Sequence, residues 1–173
     1  MKKLLKASLL LPLLVLFTAC PYESTVPISN ADIPVDKKFL GNWYKEGEMD
    51  KEYPSEYYEI KTESPETYKI TKYDLNTDDN SYKQEVYISH ITYFIVENDN
   101  NYSFLNMKKD GKYYLHRIKL SDTRFVLYEL TDNIDEKFNT VEEMRKFVEK
   151  NMTLSFFYNK DEVTYYKGDH TMN

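Results

Sequence analysis

Between residues 57 and 130 the chain alternates short β-prone segments with tight turn signals, and this pattern leaves it few folds to choose from. Residues 57–61 and 66–73 are rich in tyrosine, isoleucine and threonine, and Ser64-Pro65 punctuates the space between them. Such side chains suit a pleated, half-buried surface, and Pro with a polar neighbour suits a turn. Residues 82–96 form a longer run, read as one bent strand or two joined by a bulge. Asn98-Asp99-Asn100-Asn101 turns the chain into residues 102–107, Asp110-Gly111 into 113–120, and Ser121-Asp122 into 125–130. Asp-Gly is a strong hairpin signal because a primed turn needs positive φ at both central residues. Connections this short join only antiparallel neighbours, since a parallel crossover takes a dozen residues or more. The expectation is an antiparallel meander.

One helix interrupts it. Thr140-Val141-Glu142-Glu143 has the spacing of a capping box, and Val141, Met144, Phe147 and Val148 follow on one face. The helix is expected over about residues 140–150, with residues 154–158 and 163–167 as closing strands. A meander of about eight strands is best relieved of its exposed edges by closure into a barrel. Seventeen tyrosines and nine phenylalanines fit that form, because a tyrosine carries an apolar ring for the wall and a polar tip for the rim. The alternative is an open sheet curled over the helix.

Leu40-Gly41-Asn42-Trp43-Tyr44 opens the domain. Gly41-x-Trp43 on a first strand resembles the signature of lipocalins and the wider calycin group. That resemblance implies an eight-stranded antiparallel barrel with the tryptophan across its closed end, and structural roles for Gly41 and Trp43. On the last strand, where the family sets an arginine against the tryptophan, this chain offers only Lys167. Such a barrel has room inside for about one small ligand. The resemblance therefore implies a small hydrophobic molecule as cargo. By alternation Tyr114, His116, Ile118 and Leu120 share one face of a strand, and Phe125 and Leu127 one face of the next. Tyr114, His116, Ile118, Phe125 and Leu127 are the candidate lining; the same residues equally suit a filled core.

Ahead of the domain, Met1-Lys2-Lys3-Leu4-Leu5-Lys6 is basic, and residues 9–17 have no polar side chain. The run is short of the ~20 residues of a membrane span, and Pro12 interrupts it. Leu16-Phe17-Thr18-Ala19-Cys20 resembles the lipobox of bacterial lipoproteins, with Phe17 where leucine is usual. The resemblance implies a signal peptide over residues 1–19 and a diacylglyceryl thioether on Cys20. Tyr22-Glu23-Ser24 and Pro27-Ile28-Ser29 are similar to the opening of small bacterial envelope lipoproteins. Pro21, rather than an aspartate, after the cysteine favours the outer over the inner membrane in a host that has two. Residues 20–37, with Pro21, Pro27 and Pro34, read as a lipidated cysteine and flexible tether, 38–167 as the barrel domain, and 168–173 as a frayed tail.

Cys20 is the only cysteine, so the domain has no disulfide, thiolate metal site or cysteine nucleophile. Loss of Lys2, Lys3 and Lys6 with the leader takes 23 basic residues to 20 against 29 acidic ones, a formal charge of −9. That balance, without a basic stripe, argues against nucleic acid as a partner. Asp74, Asn76, Asp78 and Glu85 fall at positions one, three, five and twelve of a calcium loop. Asp79, however, occupies the position that calls for glycine, and the flanks read as strands. His90, His116 and His170 have no zinc spacing. No nucleophile elbow, phosphate loop or paired carboxylates stand out, and no residue is nominated as catalytic. The expectation is a membrane-tethered barrel that binds a small hydrophobic molecule, with no cofactor beyond the covalent lipid. The alternative is a module whose outer surface engages a protein or glycan.

Overall fold

The hairpin signals set the strand order, and pairing between distant segments closes it. The computed structural model describes residues 22–96, 101–131 and 133–168. A two-residue strand, β1 (Glu23–Ser24), precedes β2 (Gly41–Lys45), β3 (Glu56–Ser64), β4 (Thr67–Asn76) and β5 (Ser81–Phe94). Then come β6 (Tyr102–Lys109), β7 (Lys112–Leu120), β8 (Arg124–Leu130), the helix α1 (Val141–Asn151) and β9 (Tyr158–Gly168). Each strand from β2 to β8 pairs antiparallel with the next. β9 then pairs with both β8 and β2, so β2 to β9 form a closed eight-stranded meander barrel. The run expected over residues 82–96 is one continuous strand, ending at Phe94. Asp110 (φ 51°) and Gly111 (φ 80°) make the tight β6–β7 turn that Asp-Gly favours.

Strand alternation divides the inward side chains into layers. At one end Phe39, Trp43 and Phe125 fill the barrel, with Phe125 4.9 Å from Trp43 and 5.4 Å from Phe39 between ring centres. Trp43 is fully buried, and its indole donates to the Phe39 carbonyl at 2.9 Å. Residues Lys37–Phe39 form a 3₁₀ turn that presents Phe39 as a plug. Lys167 lies over the Trp43 ring at 5.2 Å and donates to the Lys38 carbonyl at 2.9 Å. Gly41 makes room for it: φ is +123°, and a β-carbon there would stand 3.1 Å from the Lys167 Cε. The middle layer holds Ile60, Ile70, Leu105, Ile118 and Leu127.

The segment expected to be a flexible tether is packed from Tyr22 onward. β1 pairs with Tyr113 and Tyr114 of β7, on the edge that β8 covers further along. The chain then crosses the outer face of the barrel. The Ile28 amide donates to Asn106 Oδ1 at 2.8 Å, the Ser29 hydroxyl meets Thr92 at 2.6 Å, and His90 Nε2 meets the Ser29 carbonyl at 2.7 Å. Val35 and Asp36 are held at the far end by the Pro65 carbonyl and the Tyr68 hydroxyl. Prolines made the segment look like a linker, but Ile28 is fully buried and its backbone is satisfied by side chains of β5 and β6.

α1 starts where the capping box places it, with Thr140 accepting from the Glu143 amide and Glu143 reaching back. Its Met144 and Val148 complete a second apolar cluster outside the barrel with Ile28, Phe104, Leu115 and Phe157. Residues 154–158, expected as a strand, instead make a 3₁₀ turn at Ser155–Phe157 that precedes β9. The Phe157 amide bonds the Leu154 carbonyl at 3.1 Å, and the Phe157 carbonyl receives the Thr131 amide at 3.0 Å. Phe157 thereby turns into the outer cluster, while Phe156 is left exposed.

Candidate functional site

The other end of the barrel is open and charged. Four features lead their chains there: the β2–β3, β4–β5 and β6–β7 connections and the β8 terminus. Inside this mouth is a chamber of about 370 Å³. Tyr58, Tyr87, Tyr114 and Met107 supply its walls, and Lys72, Lys109, Glu85, Glu129, Glu23 and His116 its polar groups. By contrast the apolar interior beneath, between Phe39 and Leu127, leaves a void of only about 10 Å³. The layer of Ile60, Ile70, Leu105 and Leu127 is therefore filled, and the usable space is polar.

Most charges in the mouth are matched. Lys72 bridges Glu56 at 2.8 Å and Asp74 at 3.0 Å, and the Tyr165 hydroxyl donates to the same Glu56. Burial pushes the Glu56 carboxyl up, but the Lys72 and Tyr165 hydrogen bonds and the Lys72 charge outweigh it, so the group sits below the usual carboxylate range. Tyr165 and Tyr58 are held protonated well above the ordinary phenol range, chiefly by burial. Glu85 accepts from Lys83, Lys109 and the Tyr87 hydroxyl, and those hydrogen bonds bring it down to about 2. Glu23 is held by Lys112 and by the Tyr114 hydroxyl at 3.1 Å.

His116 and Glu129 differ. They face each other across β7 and β8, with His116 Nε2 4.0 Å from Glu129 Oε1, beyond hydrogen-bond reach. His116 Nδ1 is buried and has no hydrogen-bond partner among the described residues. Burial depresses its pKa more than Glu129 and the Tyr114 backbone raise it, so the imidazole is neutral at neutral pH. The imidazole and the Glu129 side chain lie side by side with no hydrogen bond between them.

The candidate lining residues divide between the two layers. Tyr114 and His116 line the chamber, whereas Ile118, Phe125 and Leu127 belong to the filled core. Alternation placed all five on inward faces, but it carries no information on depth along the barrel axis. Lys72, Glu85, Lys109 and Glu129 were not singled out as lining, although each sits two residues from an apolar inward neighbour on its strand. Glu85 and the other calcium-loop candidates take separate roles. Asp74 and Glu85 lie on adjacent strands bound to lysines, Asn76 caps the hairpin by accepting the Asp78 amide at 3.1 Å, and Asn80 takes positive φ. A β-hairpin spreads these residues apart, and among the described residues no three His, Cys, Asp or Glu side chains converge to hold a metal ion. His90 is on the outer face under Ser29, away from His116. Cys20, the leader and His170 lie outside the described residues.

The chain matches no family model, no curated protein and no solved structure.

Proposed function

We propose that this is an envelope lipoprotein, anchored by a diacylglyceryl group on Cys20, whose barrel receives a small molecule in the charged mouth. The observation that carries the reading is the 370 Å³ chamber, a volume within the ~300–1,000 Å³ range of ligand pockets and set on a rigid closed barrel. The filled apolar layer redirects the expectation of a purely hydrophobic cargo. The ligand is polar or amphipathic, with its apolar part against Tyr58, Tyr87 and Met107. Kinship with lipocalins is supported by Gly41, Trp43 and Lys167, the lysine lying across the indole where that family sets an arginine.

The anchor would also orient the mouth. Glu23 pairs with Tyr114 and Lys112 at the rim and lies three residue steps from Cys20, a reach of about 10 Å. With residues 22–36 bound to the barrel wall, the lipid holds the mouth close to the bilayer surface, in the outer membrane where the host has two. Lipidation is tested by the mass of the mature N-terminal peptide and by release of Cys20→Ala from the membrane fraction.

Ligand binding is tested on the full chain extracted in detergent, comparing native with denaturing mass spectra. A discrete extra mass lost on denaturation is the expected result. A bare polypeptide in both spectra transfers support to a second reading, an interaction module. One observation favours that reading: the half-buried Tyr57 and Tyr73 stack parallel at 4.4 Å on the outer face of β3 and β4, against the buried Tyr44. Exposed Tyr53 and Met49 lie in the adjoining β2–β3 connection.

A further inference from the structure

We infer that the ligand of the mouth chamber carries a primary or secondary ammonium group, seated between Glu129 and His116. This rests on the chamber being a ligand site and names the chemistry it selects. Every other charge lining the chamber has its counter-ion in the protein. Lys72 is held by Glu56 and Asp74, Lys109 by Glu85 at 3.1 Å, and Glu23 by Lys112. Glu129 alone among the lining carboxylates has no lysine or arginine within 4.0 Å among the described residues; its protein contact is the Asn159 side-chain amide at 3.3 Å on Oε2. Three lining carboxylates face two lysines that are already bound, so an anionic ligand meets repulsion without a free cation, and a cationic one completes the set.

Geometry adds a second argument. In the tautomer that carries its proton on Nδ1, the Nε2 beside Glu129 presents a lone pair to the chamber. Nε2 and Glu129 Oε1 are two acceptors 4.0 Å apart. A nitrogen ~2.8 Å from each subtends roughly a right angle between them, which a donor with two or three N–H groups can satisfy. Tyr114 and Tyr87 stand edge to face at 6.0 Å beside this point and offer aromatic surface to a cation and to the carbon skeleton behind it.

Titration calorimetry on the full chain in detergent tests this with three probes of one shape. Tyramine carries the ammonium, N-acetyltyramine is neutral, and 3-(4-hydroxyphenyl)propanoate is anionic. Tyramine is expected to bind at least tenfold more tightly than the other two. Glu129→Gln should weaken tyramine at least tenfold and leave N-acetyltyramine unchanged, Glu129→Asp should retain part of the affinity, and Glu142→Gln on α1 should change nothing. Thermal melts of each variant verify folding. Equal or tighter binding of the neutral or anionic probe overturns the ammonium assignment but keeps the chamber as a ligand site. So does a Glu129→Gln protein that binds tyramine unchanged. If no probe binds, the co-purified mass decides: a basic nitrogen in its composition supports the assignment, its absence overturns it, and no co-purified mass removes the ligand-site reading as well.

Discussion

The two ends of this barrel are built from the same alternating strands and do opposite things. At the closed end Phe39, Trp43 and Phe125 meet ring to ring, with Lys167 lying over the indole. At the open end Lys72, Glu56, Asp74, Glu85 and Lys109 are joined by ion pairs around a space. Apolar burial is non-directional and scales with area, so the closed end holds the fold together. Ion pairs near water contribute little net stability, because desolvation offsets their attraction. What they contribute here is position: they fix which charges the mouth leaves unmatched.

The contrast can be broken most forcefully at the closed end. Phe125→Ala removes a ring that touches Phe39, Trp43, Tyr58 and Tyr165, and should cost about 3–5 kcal/mol in urea unfolding followed by Trp43 fluorescence. Tyramine affinity of the fraction that remains folded should be unchanged. At the mouth, Lys72→Met leaves Glu56 largely buried without its cation and should cost about 1–3 kcal/mol. Glu56 sits below its ordinary range, so its stabilisation is present above about pH 4.3 and is lost as pH falls through the folded value. Lys72→Met should therefore show a shallower loss of stability in acid than the unaltered protein.

Between the two ends, Asn106→Ala removes the acceptor for the Ile28 amide and the donor to Thr92. It should cost about 1–3 kcal/mol and raise hydrogen exchange selectively in residues 22–36, the strap along the wall. If exchange rises equally throughout the barrel, the strap and barrel form one cooperative unit. The smallest effect sharpens the role of His116. Its folded pKa is depressed by burial, so the neutral ring's contribution is complete above about pH 6.5 and declines as pH falls toward the folded value. His116→Gln should flatten the pH dependence of stability between pH 7 and 5, measured by urea midpoints, with the remaining slope assigned to His90, which is shifted in the same direction by burial.

Local chemistry determined much of this protein before any contact was known. The Asp110-Gly111 hairpin, the Thr140–Glu143 capping box and the period-two pattern of β7 and β8 are set within a few residues, so they are readable from the chain. Gly41 and Trp43 likewise marked the closed end. What tertiary structure alone decided has one physical origin, the meeting of residues far apart in sequence. Closure depends on β9 pairing with β2, as in Trp43 with Lys167, and no local signal records that partner. The proline-bearing segment around Ile28 looked like a linker because its partners, Asn106 and Thr92, come from β5 and β6. The charged mouth was hidden for the same reason. Alternation says that Lys72, Glu85 and Glu129 point inward, but their depth, their counter-ions and the gap beside His116 follow from strand register around the closed barrel.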